Sequence, residues 1–307
     1  MTIKNILKVL ILALTLASCG GDDDVTTPTT PSQDQQDKAN NINRNITTTT
    51  PQAWRLEFPK LKDNGSFVIV HMAPMPTLIG VNYSVEWDPQ KRAQRWSCYQ
   101  MYDAISVSNT KRYTGDPQYP QDPGLSETYR LPQDPFWGSG FDHGHICPSA
   151  DRLCSFEANY QTFFLTNMQP QYNNFNAKLW EKMEGQIRTW NRGNFRDTLY
   201  VCKGGTIDNE NNILRYLGSG ANKIPVPKYF FMAVLCKNST GYKALGFWVE
   251  HKNEDRSSDN LGNYVVNIYD LQQLTGIDFF CNLPDNIENQ IETLPVENVK
   301  RAWGFIS

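Results

Sequence analysis

The chain has 307 residues, a formal net charge of −3, four histidines and seven cysteines. That length allows one large domain with a substantial core and rules out a minimal scaffold held by cross-links alone. The mildly acidic balance excludes attraction of a polyanion by overall charge and leaves any such recognition to a local field.

Lys4 and Lys8 precede a short apolar run, Val9 to Leu16, too short to span a bilayer. Leu16-Ala17-Ser18-Cys19 follows, the pattern of a bacterial lipoprotein signal. Residues 1–18 are therefore expected to be removed and Cys19 to carry lipid. The protein would then be exported and membrane-anchored in the cell envelope, periplasmic or surface-facing at the outer membrane. An ordinary signal peptide with an incidental cysteine is the alternative. Residues 19–55 are rich in Thr, Pro, Gln, Asn and Asp and nearly free of large apolar side chains. Such a segment cannot offset the entropy of ordering and is expected to be a flexible spacer. Residues 56–307 form the expected single domain, with no internal repeat, no second linker and no later spanning segment.

Within it, residues 67–71, 81–87 and 94–102 carry β-branched and aromatic residues in partial alternation and predict strands. Residues 106–139, dense in Pro, Gly, Asp and Ser, predict a long surface loop. A short strand is expected at 161–166. Helical spacing over 176–190 puts Leu179, Trp180, Met183 and Ile187 on one side. Further strands are expected at 199–202, 229–235 and 242–249, then a helix from Ile268 closed by Gly276. Strands outnumber helices, so the expected class is α+β, a mixed, mainly antiparallel central sheet with flanking helices. The six cysteines after Cys19 are an even number in an exported chain and suggest disulfides. Cys147–Cys154 and Cys202–Cys236 are two of the many pairings open.

Two stretches concentrate chemistry: Phe141-Asp142-His143-Gly144-His145-Ile146-Cys147-Pro148-Ser149-Ala150-Asp151-Arg152, and Thr166-Asn167-Met168-Gln169-Pro170-Gln171 leading to Asn176 and Glu184. On a strand His143 and His145 face the same side, and Gly144 admits close approach of another group. Steps of four place Asn176, Trp180, Glu184 and Arg188 along one helix stripe. Cationic residues also concentrate between Lys91 and Arg196. An imidazole base, oxygen ligands for a hard cation and a fixed positive charge are what phosphodiester hydrolysis needs.

The order Asp-His-Gly-His-(x)₂-Pro-Ser-Ala-Asp-Arg, Thr-Asn-Met-(x)-Pro-Gln, Asn-(x)₃-Trp-(x)₃-Glu-(x)₃-Arg resembles the DNA/RNA non-specific endonucleases of the ββα-metal superfamily. Ile224-Pro225-Val226-Pro227-Lys228-Tyr229-Phe230, Asp270-Leu271 with Leu274-Thr275-Gly276, and Leu283-Pro284-Asp285 extend the likeness over roughly 80–307. The resemblance implies a ββα-metal site motif and Mg²⁺-dependent cleavage of DNA and RNA to 5′-phosphate ends, with Mn²⁺ or Ca²⁺ as substitute ions. It also implies roles: His145 as general base, Asn176 as the direct metal ligand, Glu184 holding metal-bound water, Arg188 on the phosphate, Asn167 and Gln171 beside the site, and Arg112 as a distal phosphate contact. No protein partner is expected.

One position departs. The family usually has Arg where His143 stands, and an imidazole carries less charge at neutral pH and cannot make the same bidentate contact. Weaker phosphate binding or a lower pH optimum is expected. Two other classes stay open. One is a surface lipoprotein that binds glycan or nucleic acid on an inactive nuclease fold. The other is a zinc hydrolase using His143, His145, Cys147 and Cys154.

Overall fold

The computed structural model describes residues 40–63 and 65–306. The expected signal, Cys19 and the spacer up to residue 39 lie outside the described residues. Among those described, no helix is long and apolar enough to cross a membrane.

A seven-stranded sheet organises the chain: β1 (Phe67–Pro74), β2 (Ile79–Asp88), β3 (Ala93–Met101), then β6 (Thr198–Gly205), β9 (Tyr229–Asn238), β10 (Gly241–Glu250) and β11 (Val265–Val266), in that order. Every neighbouring pair is antiparallel. Two small sheets complete the strands: β4 (Asp142–His145) pairs with β5 (Met168–Gln171), and β7 (Ile213–Leu217) with β8 (Ile224–Pro227). The class is α+β, as expected.

Period-two alternation splits the large sheet into two buried faces. On β9, Phe230, Met232, Val234 and Cys236 enter one core cluster, while Phe231, Ala233 and Leu235 enter the other. The first face is covered by helix α2 (Glu181–Trp190) and the π-helical turn Phe175–Trp180 before it. Leu179, Met183, Ile187 and Trp190 from this pair are all buried there. Burial of each such side chain contributes about 1.5–3 kcal/mol. The second face is covered by α3 (Ile268–Thr275) and α4 (Asp285–Glu292), through Ile268, Leu271 and Ile291. The last helix, α5 (Val296–Ala302), returns to the first face through Val299. Gly276 ends α3 in the left-handed conformation at φ 69°, as its position predicts.

Four expectations change. Residues 161–166 are not a strand: α1 (Phe156–Gln161) ends there, and the 3-10 turn Leu165–Asn167 follows. Ser155 caps α1 by accepting from the Ala158 amide, and this local signal outweighs a short apolar run that periodicity alone cannot assign.

The spacer expected to reach residue 55 is already packed at Asn41. Asn41 Nδ2 donates to Leu283 O at 2.6 Å, and Asn45 Nδ2 to Pro59 O at 2.9 Å. Ala53 is fully buried. Asparagine amides anchor this segment in place of the large apolar side chains it lacks.

Neither guessed disulfide forms, and Cys98, Cys147, Cys154, Cys202, Cys236 and Cys281 are all free and buried. Cys202 opposes Ala233 while Cys236 opposes Leu199, three residues along, so the two thiols face opposite sides of the sheet. Cys147 and Cys154 lie in different core clusters. Finally, part of the cationic concentration is internal wiring: Arg152, for one, is fully buried and donates to three backbone carbonyls, of Asn82, Asp151 and Gln100.

The chain leaves the large sheet after Met101 and returns at Thr198. This excursion carries β4, α1, β5 and α2, and with them the whole two-stretch cluster.

Candidate active site

β4 and β5 pair antiparallel and lead into α2, a strand–strand–helix unit. Its concave side forms a cleft of about 730 Å³ bordered by Arg112, Asp142, His143, His145, Asn176, Glu181, Glu184 and Arg188, with Tyr119 and Trp137 also on the wall.

Gly144 sits between the histidines for a steric reason. A Cβ there would lie 2.3 Å from the Gln171 side chain, which packs across the strand. The close approach expected at Gly144 is thus made by Gln171, which is fully buried and stands behind the cleft wall. Asn167 lies deeper still. It is fully buried, and its amide donates to Cys147 O at 2.9 Å and Thr162 O at 2.8 Å while accepting from Cys147 N at 2.9 Å. It braces the segment after His145 from behind the site and does not border the cleft.

His145 borders the cleft, while its Nε2 is sheltered from bulk water and meets no protein partner. Burial, then the nearby Arg112 charge, lowers its pKa to about 3, although a hydrogen bond to the His143 backbone opposes this. His145 is a neutral imidazole with its Nε2 uncommitted. The Phe163 ring meets it edge-on at 4.8 Å.

His143 is held differently. Its Nε2 is 2.7 Å from Asp134 Oδ2, and its ring stacks on Tyr119 at 3.6 Å and on Phe136 at 4.4 Å. None of these three partners was singled out from the sequence, because all lie in the 106–139 loop.

The π-helical turn changes the expected stripe. Asn176, Glu184 and Arg188 border the cleft, but Trp180 turns into the core at 1% exposure and donates its indole N–H to His145 O at 3.4 Å. The wider turn rotates residues before it relative to those after it. Asn176 Nδ2 donates to Asp142 Oδ2 at 3.0 Å, which commits the amide nitrogen and turns Oδ1 away from Asp142. Glu184 accepts from Lys203 Nζ at 2.6 Å, and Lys203 is fully buried beneath it on β6. Burial raises the Glu184 pKa, and the Lys203 charge pulls against that. Arg188 Nη1 is 3.1 Å from Asp151 Oδ1, whose other oxygen accepts from Tyr99 at 3.0 Å. Arg112 contacts Ser149 Oγ and lies over the Phe163 ring at 4.7 Å.

Lys203, Asp142 and Asp151 were not assigned functions from the sequence. A lysine inside an otherwise buried strand was the available signal, since such a charge needs a partner. The remaining histidines, His71 and His251, are structural. His71 pairs with Asp122 at 2.8 Å, and His251 bonds Pro227 O and the Tyr172 amide, both at 2.8 Å.

The donor set suits a hard cation: an amide oxygen from Asn176 and the Glu184 carboxylate face one cleft. The zinc set does not assemble. Cys147 is buried in the main core with its thiol pushed up to about 12, and Cys154 Sγ packs 3.6 Å from Met75 Sδ. Among the described residues the one group of three His, Cys, Asp or Glu ligands close enough for an ion is Asp278, Glu288 and Glu292, across the sheet from the cleft.

Comparison with known proteins gives a consistent result. A nuclease of Syncephalastrum racemosum is 31% identical over 212 residues, covering 66% of each chain. A nuclease of a Nostoc strain is 29% identical over 219 residues, 69% of this chain and 75% of that one. Nuclease EXOG, mitochondrial, of Xenopus laevis is 27% identical over 210 residues, and the match spans 66% of this chain and 58% of that relative. EndoG in its complex with EndoGI, solved to explain EndoG inhibition, shares the fold at TM-score 0.59 and 17% identity, over 70% of this chain and 87% of that one. The family model for DNA/RNA non-specific endonucleases matches residues 76–286, more than half of the sequence and all of the cleft, and the chain belongs to that family.

Proposed function

We propose that the protein is a metal-dependent, sequence-non-specific endonuclease that hydrolyses DNA and RNA phosphodiester bonds. The observation that carries this reading is the uncommitted Nε2 of a neutral His145 on a cleft shared with Asn176, Glu184, Arg112 and Arg188. Buried polar atoms without partners are uncommon, and those that occur at a cleft wall mark chemistry.

His145 Nε2 takes the proton of the attacking water. The Phe163 and Tyr119 rings hold the imidazole in place. With its pKa at about 3, His145 stays in the base form throughout the neutral range. Asn176 Oδ1, oriented by Asp142, would hold the ion, and Glu184, held by Lys203, would hold the water bound to it. Mg²⁺ bound there would neutralise the phosphate and the developing charge on the leaving oxygen. Arg188 and Arg112 supply fixed positive charge, and Asp151 sets the Arg188 geometry. Departure of the 3′-oxygen leaves 5′-phosphate ends. Contacts of this kind are to backbone phosphates, so sequence preference is slight and activity falls with salt. His143, caged by Tyr119, Phe136 and Asp134, occupies the position of the usual arginine. Residues 1–39 are proposed to deliver the enzyme to the cell envelope as a Cys19-linked lipoprotein.

The test is cleavage of plasmid DNA and of RNA by wild type and His145→Ala, with Mg²⁺ and with excess EDTA. Cleavage by wild type alone, and only with the metal, supports the reading. Intact nucleic acid in every lane overturns it in favour of a binding protein on an inactive nuclease fold.

A further inference from the structure

Trp137 stands out among the cleft residues. It is 69% exposed, although Phe136, Phe141 and His143 beside it on the same wall are buried. Leaving a large indole in water is costly, and fixing it there is costlier still. Yet the turn that presents it is tied down at both ends. Phe136, beside it, is buried in a cluster with Leu131, Phe141 and Met168. The Phe136 amide donates to Asp134 Oδ1 at 2.9 Å, and the Ser139 amide and hydroxyl both donate to Phe136 O, at 3.0 and 2.6 Å. The Phe141 amide closes the turn on Ser139 Oγ at 3.1 Å. Gly138 and Gly140 supply the positive φ values of 71° and 82° that the turn needs.

The indole is therefore a fixed exposed face. It meets the His143 ring edge-on at 5.4 Å, and His143 is two strand residues from His145, about 7 Å along the chain. The platform lies within one or two nucleotides of a phosphate attacked at His145. Arg112 and Arg188 border the same cleft and fit the charged backbone, whereas Trp137 offers an uncharged aromatic plane. A polyanion with planar bases needs both.

We propose that Trp137 is a base-stacking subsite, which makes an unpaired nucleobase next to the scissile phosphate a determinant of substrate choice. Stacking is open to bases of a single strand or a frayed duplex and tolerates any base identity. The proposal rests on the nuclease reading and adds to it a preference for single-stranded substrate. The ion-binding and proton-transfer groups do not include Trp137, so its loss should act on KM and leave kcat nearly intact.

The experiment compares wild type, Trp137→Ala, Trp137→Phe and Trp54→Ala. Trp54 is the control, since it is 65% exposed and lines a separate groove formed by residues 40–48. Each protein is assayed on a single-stranded oligonucleotide and on the same strand with abasic sugars around one cleavable phosphate. Binding of both strands is measured by fluorescence anisotropy in EDTA. Trp137→Ala is expected to raise KM and Kd about tenfold on the base-bearing strand, with kcat within about twofold and little change on the abasic strand. Trp137→Phe should retain most of the affinity, and Trp54→Ala should match wild type. An equal loss on both strands, or none on either, overturns the stacking role. Because the anisotropy arm needs no cleavage, an inactive wild type would sink the nuclease reading while the base-dependent binding difference still decides this one.

Discussion

Two groups of buried carboxylates lie on opposite faces of the large sheet, and they are treated in opposite ways. On the cleft side the two buried acids each have a firm donor: Asp151 has Arg188 and Tyr99, and Glu184 has Lys203. On the far side Asp278, Glu288 and Glu292 bring their oxygens within 4.8 Å of one another. The donors seen to reach them are the side-chain amides of Asn43 and Gln272. Burial pushes Glu288 up to about 7 and Glu292 up to about 9. The far cluster meets the geometric criterion for an ion better than the cleft does, yet only neutral amides are seen to reach it, and burial favours the protonated forms of its acids. Proximity of acids is therefore a poor guide to a site. Compensation by fixed cations, beside an uncommitted base, is the better one.

The largest effect that would break this contrast is at His145. His145→Ala should lower kcat by about 10²–10⁴-fold with little change in stability, read by plasmid cleavage alongside thermal melting. Retained activity would move the base elsewhere. Next comes the Glu184–Lys203 pair. Lys203→Met leaves Glu184 buried without its cation, and breaking such a pair costs about 3–5 kcal/mol. Lys203→Met with Glu184→Gln should regain much of that stability without regaining activity. If the single variant melts like wild type, the pair is not what keeps the cleft carboxylate charged. A smaller effect is expected from His143→Arg. A guanidinium is permanently charged and can make a bidentate phosphate contact that an imidazole cannot, so KM for plasmid DNA should fall a few-fold. An unchanged KM would show that packing against Asp134, and not phosphate contact, is what His143 provides.

Much of this was legible because local chemistry and long-range order agree along parts of the chain. The β9 run from Tyr229 alternates between two cores, and Gly276 stops α3 where a left-handed residue is needed. His145, Asn176, Glu184 and Arg188 reach one cleft because β4, β5 and α2 are a compact unit. The rest depended on contacts distant in sequence. Asp134, Tyr119 and Phe136 approach His143 from a loop with no periodicity. Lys203 reaches Glu184 only because β6 returns beside β3 after an excursion of nearly a hundred residues. Asn167 carried a motif signal that was real but structural: a buried amide making hydrogen bonds to two neighbouring segments is as constrained as one that binds a substrate.

The smallest effect sharpens the comparison from the far side. Glu292 has a folded pKa of about 9, above its value in the unfolded chain. Between the unfolded pKa, about 4.3, and about 9 the unfolded state has released a proton that the native state still holds. Stability from this group is thus fully present below the unfolded pKa and is lost as pH rises toward 9. Glu292→Gln keeps an acceptor for Gln272 Nε2 and removes the titration. The variant should therefore melt a few degrees higher than wild type at pH 8, about as stably at pH 4, and cleave nucleic acid at the wild-type rate. A melting temperature that fell at pH 8 would mean that Glu292 is ionised in the native state. The two carboxylate groups would then be alike in charge, and the contrast between the faces would rest on the cleft base alone.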